Sequence, residues 1–91
     1  MDAQTILKRS EHVTHQIVAA EAILINLNTG TYFSLNKIGT EFWEMLDGQQ
    51  SIQHHAQTLA TKYSVEVAMV VGDLLELAEK MAVDHLVELV R

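Results

Sequence analysis

The spacing of apolar residues along the chain changes once, near Asn36. Before this point the apolar runs are short and partly alternate with polar residues, as they do in β-strands. Residues 22–27 predict one strand, and residues 31–35 predict the strand that returns beside it. A weaker pattern at 12–18 predicts a third strand, because an isolated two-stranded hairpin is only marginally stable in water.

The stretch "LNTGTYFSLN", residues 27–36, contains the turn between the two stronger strands. Gly30 can adopt the left-handed conformation that closes a three-residue hairpin loop. Tyr32 and Phe33 follow the turn, and alternation places their side chains on opposite faces of the strand. We therefore expect one ring in the core and the other near the exposed face, and the pattern does not distinguish which is which.

After Asn36 the apolar residues recur at helical spacing and predict three helices. Asn36 is the expected N-cap of the first helix, Gly48 its end, and Ser51 the N-cap of the second helix. The predicted apolar stripes of these two helices are Ile38, Phe42, Met45 and Leu46, and then Ile52, Ala56, Leu59, Ala60 and Tyr63.

The third predicted helix, at 65–83 with Ser64 as its N-cap, has three distinct faces. Its core stripe consists of Val67, Val70, Val71, Leu74, Leu77, Ala78 and Met81. The strip beside this stripe contains Ala68, Gly72, Leu75, Glu79 and Ala82, and the far side contains Met69, Asp73, Glu76 and Lys80. A glycine inside a helix costs about 1 kcal/mol relative to alanine. Gly72 therefore either packs tightly against another element or leaves room for an incoming backbone. The tail at 85–90, "HLVELV", either pairs with the sheet or prolongs this helix.

Length and composition favour a folded chain of ordinary globular type. The 91 residues suggest a single domain at 1–91, in which we expect residues 1–10 to be poorly ordered. Hydrophobic residues make up 48% of the chain and charged residues 20%, which excludes a disordered chain. No apolar run approaches the roughly 20 residues that span a bilayer, and the start lacks a signal-peptide apolar region. We therefore expect a cytoplasmic protein with no membrane partner.

The charge balance argues against nucleic acid as a partner. Twelve acidic residues and six basic residues give a formal net charge of −6. Such a surface repels phosphate backbones unless a basic patch overrides it, and the pair Lys8 and Arg9 is too small to do so.

The side chains that commonly carry catalysis or bind metals do not form a recognisable motif. The absence of cysteine excludes thiolate ligands and disulfides. His54 and His55 would point about 100° apart on a helix, and His12 and His15 would lie on opposite faces of a strand. We interpret the histidines as surface residues. Nucleophile and phosphate-binding motifs are also absent, so we predict a non-enzyme without a cofactor or metal.

The order of these segments resembles the PqqD-like family, the recognition elements of ribosomally made and post-translationally modified peptides. The resemblance covers residues 11–90. It rests on "L-x-T-G-x-Y-F-x-L-N" at 27–36, on Gly39, on "FWEMLDG" at 42–48 and on "LATKYSV" at 59–65. The "TGxYF" form is more similar to the discrete recognition elements of lasso-type pathways than to PqqD of pyrroloquinoline quinone synthesis.

The resemblance implies an α+β fold, with a three-stranded antiparallel sheet followed by three helices, related to winged helix–turn–helix domains. It implies binding of the leader segment of a precursor peptide as a further strand on the edge of 31–35, against the helix at 65–83. The peptide-binding residues expected on this basis are Thr31, Tyr32, Phe33, Ser34, Leu35, Ala68, Gly72, Leu75 and Glu79.

The implied protein is a peptide chaperone. It presents the leader to a modifying enzyme such as a radical-SAM enzyme, a leader peptidase or a cyclase. Two alternatives use similar elements: a winged-helix DNA-binding regulator, and a homodimer joined through the same sheet edge. The acidic residues of the third predicted helix disfavour DNA, because recognition helices carry Lys or Arg toward phosphates.

Overall fold

The computed structural model describes residues 1–90, and within them six strands and three helices. The strands are β1 (Ile6–Arg9), β2 (Val13–Val18), β3 (Glu21–Asn26), β4 (Tyr32–Ser34), β5 (Asp47–Ser51) and β6 (Val87–Val90). The helices are α1 (Lys37–Met45), α2 (Ile52–Tyr63) and α3 (Val67–Val83). The prediction of an α+β fold with three helices is confirmed. None of these helices is both long enough and apolar enough to cross a membrane.

The predicted meander forms one of two sheets. Strands β2, β3 and β4 pair antiparallel in that order, with Leu24 opposite His15 on one side and opposite Phe33 on the other. The bounds differ from the prediction by at most one residue. The loop between β3 and β4 closes as expected, because Gly30 has a φ of 76° in the left-handed region.

The second sheet overturns the predicted order of one sheet followed by helices. Its strand order is β5, β1, β6, so its strands come from before α1, from between α1 and α2, and from after α3. Residues 1–10, expected to be poorly ordered, contain the central strand β1. The tail at 85–90 does pair as a strand, but with β1 rather than with the meander. These pairings join residues at least 39 positions apart, such as Lys8 and Asp47, and local sequence patterns give no sign of such distant partners.

The helix starts were predicted in two of three cases. The Asn36 side chain accepts a hydrogen bond from the Gly39 N–H at 2.8 Å, and Ser51 accepts one from the His54 N–H at 3.1 Å. Ser64, in contrast, is not the N-cap of α3. It ends α2 in the left-handed conformation, with a φ of 54°, and Glu66 stands at the start of α3 without a side-chain cap. Gly48 lies in β5 rather than at the end of α1.

The core lies between the two sheets and the three helices. Its largest fully buried side chains are Trp43, Phe42, Leu7, Leu24, Ile52, Leu74, Met81 and Leu86. On α3, the centre of the predicted stripe is buried, with Val70, Leu74 and Ala78 inside. The indole N–H of Trp43 donates to Nδ1 of His15 across 3.2 Å, which joins α1 to the meander sheet.

His55 corrects the interpretation of the four histidines weighed above as surface residues. Its side chain is only 3% exposed, and its ring meets the ring of Phe42 edge-on with centroids 6.0 Å apart. Neither ring nitrogen has a hydrogen-bond partner within residues 1–90. Burial lowers the pKa of the His55 imidazole, because the charged form loses water, and Asp47 partly opposes this shift.

This burial predicts a pH dependence of stability. Below about pH 6.5 the unfolded chain gains a proton at His55 that the folded chain resists. The free energy of unfolding should therefore fall as the pH is lowered from about 7.5 to about 5.5, and this fall should be smaller in His55→Leu. Urea denaturation of both proteins at the two pH values measures it. An equal fall in both would contradict the role assigned to His55.

Candidate functional site

The outer edge of β4 is open. The Asn26 N–H donates to the Thr31 carbonyl at 3.0 Å, and the Leu35 N–H donates to the Ala22 carbonyl at 2.8 Å. Residues 31, 33 and 35 therefore direct their backbone groups toward β3, and alternation turns those of Tyr32 and Ser34 away from it. Within residues 1–90 these outward groups have no backbone hydrogen-bond partner. Such an edge is a template for another strand.

The faces of β4 settle the placement of the two aromatic residues. Phe33 is half-buried and packs against the core, on the same face as the buried Leu35. Tyr32 is 72% exposed on the opposite face, beside Ile25 on β3. Phe33 is therefore the core aromatic, and Tyr32 remains available on the outside of the sheet.

Two adjoining cavities lie between β4, the helices α1 and α2, and one flank of α3. The first cavity, of about 320 Å³, is lined by Ser34, Leu35, Asn36, Ile38, Gly39, Asp73, Leu74, Glu76, Leu77 and Lys80. The second, of about 360 Å³, is lined by Ile38, Leu59, Tyr63, Val65, Met69, Val70, Asp73 and Leu74. They share Ile38, Asp73 and Leu74, and together we call them the cleft.

The structure does not bring the predicted α3 residues to this cleft. Ala68, Gly72 and Glu79 are exposed and Leu75 is half-buried, and none of the four lines either cavity. The Glu79 carboxylate instead lies 3.6 Å from the amino group of Met1. Helical periodicity locates the buried stripe of α3 but does not say which of its two flanks lies beside another element. Here β4 lies beside the flank that was expected to face solvent.

Gly39, rather than Gly72, is the helical glycine with a packing role. A Cβ at Gly39 would lie 3.3 Å from Cδ2 of Leu77 and 3.3 Å from Oδ1 of Asn36, whereas a Cβ at Gly72 would meet nothing within 4 Å. Gly39 thus allows α1 to approach α3 closely beneath β4. A glycine in the first turn of a helix, three residues after the N-cap Asn36, is the sequence signal for this wall of the cleft.

Other cleft residues were assigned elsewhere. Ile38 was placed in the core stripe of the first helix, but it is 40% exposed and lines both cavities. Met69 was placed on the far side of α3, and it is 57% exposed there. A methionine among the charged residues of that side was the sequence signal for an apolar surface.

Two polar contacts hold β4 in place relative to the helices. The buried Asn26 side chain accepts from the N–H of Asn28 at 2.9 Å and donates to the Asp84 carbonyl at 3.0 Å. It therefore joins the β3–β4 turn to the end of α3. Thr40 on α1 accepts from the Ala22 N–H at 2.8 Å, which fixes α1 under the same sheet.

A carboxylate outside the second cavity positions one of its walls. The Tyr63 hydroxyl donates to Oε2 of Glu41 at 2.5 Å, and Lys62 pairs with Oε1 of the same group. The hydrogen bonds from Lys62 and Tyr63 hold the pKa of Glu41 below its usual value. The Tyr63 ring is thereby tethered at its hydroxyl while its carbon face lines the cavity.

The ionisable residues of the cleft are few. Glu76 and Lys80 form an i, i+4 ion pair at 3.4 Å, and no basic side chain within residues 1–90 lies in ion-pair distance of Asp73. Across the same range, no group of three His, Asp or Glu side chains could hold a metal ion. The cleft has the features of a binding surface, with backbone donors and acceptors on one side and side-chain cavities on the other.

The family model described as "Coenzyme PQQ synthesis protein D (PqqD)" matches residues 21–87, about three quarters of the chain. The chain belongs to the PqqD family. The match to PqqD includes β4 and every residue that lines the cleft, and it leaves out β1 and β2.

A solved structure agrees with this assignment. The fold is similar to that of the chain described as "TbiB1 in Complex with the TbiA(beta) Leader Peptide", with a TM-score of 0.81 and 30% sequence identity. The similarity covers 89% of this chain and 94% of that chain. No curated protein sequence matches the chain.

The open space around Gly72 gives a prediction that tests whether this glycine has a packing role. Gly72→Ala should raise the free energy of unfolding by about 0.5–1 kcal/mol, because alanine restricts the unfolded chain and meets no atom in the fold. Chemical denaturation measures this change. A loss of stability would show that Gly72 is needed for packing after all.

Proposed function

We propose that this protein is a non-catalytic carrier of a precursor peptide. It binds the leader segment of a ribosomally made precursor as a strand on the outer edge of β4 and presents it to a modifying enzyme in the cytoplasm. The observation that carries the proposal is the open edge of β4 above a cleft whose far wall is α3. Membership of the PqqD family and the similarity to TbiB1, whose structure contains a leader peptide, support it.

The backbone of β4 would supply general affinity for an extended peptide. The N–H and C=O groups of Tyr32 and Ser34 allow up to four hydrogen bonds to a guest strand. Each contributes about 0.5–1.5 kcal/mol net, which by itself does not reach micromolar affinity. Side chains of the guest that enter the cleft must supply the remainder, so selectivity lies in the residues that line it.

The residues proposed to bind the leader differ in part from those expected from the sequence. The β4 segment keeps its proposed role, through the backbone of Tyr32 and Ser34 and through the packing of Phe33. The α3 residues that replace the expected set are Asp73, Leu74, Glu76, Leu77 and Lys80 near β4, with Met69 and Val70 further along.

A proline on the open edge tests the strand addition. Ser34→Pro removes an outward N–H that has no partner in the free protein, and proline is tolerated on the solvent side of an edge strand. We expect at least a tenfold loss of leader affinity, since both the hydrogen bond and the close approach of the guest are lost. The probes are labelled synthetic leaders, about 25 residues long, from the short reading frames beside this gene, titrated by fluorescence anisotropy.

The matched control is Ile17→Pro. Ile17 lies on β2, at the opposite edge of the same sheet. The Leu27 N–H donates to the His12 carbonyl, so His12 directs its backbone groups toward β3. Backbone direction alternates along a strand, and the N–H of Ile17 therefore points outward. The Ile17→Pro substitution should leave leader affinity unchanged, and circular dichroism should show that both proline variants are folded. Equal effects of the two prolines, or no binding of any leader to the wild type, would refute the proposal.

Two leucines on α3 distinguish the cleft from the flank that the sequence suggested. Leu77 and Leu75 are both half-buried beside the core, but only Leu77 lines a cavity. Leu77→Ala should weaken leader binding by roughly tenfold, the effect of losing about 1.4 kcal/mol of apolar contact. Leu75→Ala should leave it nearly unchanged. The opposite result, with both variants folded, would return the site to the flank of Ala68 and Gly72.

A further inference from the structure

The two cavities of the cleft differ in chemistry. The cavity away from β4 is walled mainly by apolar side chains, among them Leu59, Val65 and Met69, together with the carbon face of Tyr63. The cavity beside β4 has a mixed lining, in which apolar residues such as Leu35 and Leu77 are joined by the polar residues Ser34, Asn36, Asp73, Glu76 and Lys80. A guest that fills both must therefore offer two different kinds of side chain.

One carboxylate lies where the two cavities meet. Asp73 lines both of them, and it is the carboxylate there without an ion-pair partner within residues 1–90, since Glu76 is paired with Lys80. The chain as a whole carries a formal net charge of −6, which adds to the negative potential at this point. A cationic guest side chain is the complement of this border.

The spacing of the cavities matches the repeat of an extended peptide. Along α3 the apolar cavity is contacted from Met69 to Leu74, and the polar cavity from Asp73 to Lys80. Their centres are therefore displaced by a little more than one helical turn, about 7 Å. Side chains i and i+2 of a strand lie on one face, roughly 6.6–6.8 Å apart. A strand that runs along α3 can thus place alternate side chains in the two cavities.

The direction of the guest follows from the sheet. All pairs in the meander are antiparallel, and antiparallel pairs outnumber parallel ones roughly two- to threefold overall. The apolar cavity lies past the C-terminal end of β4, because it is bordered by Ile38 and by α2 rather than by β4. A guest that runs antiparallel to β4 reaches the apolar cavity with its N-terminal part and the polar cavity afterwards.

We infer that the cleft selects peptides in which a large apolar residue is followed, two positions later, by Lys or Arg. The apolar side chain fills the cavity formed by α1, α2 and α3, and the basic side chain pairs with Asp73. This inference rests on the proposed function, since it specifies the peptide that the edge of β4 accepts. It makes Asp73 a specificity-determining residue.

A selection that needs no known leader tests this inference. Random twelve-residue peptides are selected by messenger-RNA display on the wild type, on Asp73→Lys and on the control Glu44→Lys. Glu44 is exposed on α1 and lines neither cavity, so its variant has the same change of net charge outside the cleft. The wild type and Glu44→Lys should enrich the pattern of an apolar residue followed two positions later by Lys or Arg. Asp73→Lys should keep the apolar preference and enrich Asp or Glu at the second position.

A charge exchange on one enriched peptide gives the quantitative test. Replacing its basic residue by Glu, or Asp73 by Lys, should each weaken binding by roughly three- to tenfold, and the two changes together should restore most of the affinity. Additive losses without recovery would overturn the inference. Absence of the basic preference in the wild-type selection would also overturn it, and the reverse order of the two residues would overturn the antiparallel direction.

The outcomes separate this inference from the proposed function. Enriched peptides that lose binding to Ser34→Pro but show no charge preference would refute only the role of Asp73. If the enriched peptides bind Ser34→Pro with the same affinity as the wild type, the edge of β4 is not the binding surface. That result would refute both the proposed function and the inference about Asp73.

Discussion

The side chain of Asn26 fixes the position of β4 relative to α3, and the cleft depends on this position. Its oxygen accepts from the N–H groups of Asn28 and Thr29, and its amide nitrogen donates to the carbonyl of Asp84. One buried amide thus shapes the β3–β4 turn and binds it to the C-terminal end of the helix that faces β4. Asn26 is 1% exposed, so any loss of these partners would leave unsatisfied groups in the core, at about 1–3 kcal/mol each. These hydrogen bonds tie the turn before the open edge to the end of α3.

The sequence predicted the parts of the fold that depend on neighbouring residues. Asn36 and Ser51 cap helices and Gly30 closes a hairpin through contacts within four residues, so their signals are local. The sheet formed by β5, β1 and β6 was missed, because its strands are short and find their partners across the whole chain. Ser64 shows a further limit: the same residue type begins helices through its side chain and here ends one through its backbone conformation.

The sequence pointed to β4, whose outer edge is open in the structure, but it did not indicate which flank of α3 lines the cavities beside this strand. Strand alternation showed that Tyr32 and Phe33 occupy opposite faces, and burial then assigned Phe33 to the core. Helical periodicity located the buried stripe of α3 equally well. It does not say which flank of that stripe lies beside a strand, because this is set by how the helix packs in three dimensions. The flank with Asp73 and Lys80 looked like an ordinary solvated surface, and it is the wall of the cleft.

The brevity of β4 has a consequence for the timing of the peptide transfer proposed above. Only two of its residues, Tyr32 and Ser34, turn their backbone groups outward. A guest held by so few main-chain bonds can unzip without crossing a long series of barriers, and its residence time then depends chiefly on the side chains in the cavities. For the carrier function proposed above, a short dwell of this kind would allow discrimination among peptides together with prompt release to the modifying enzyme.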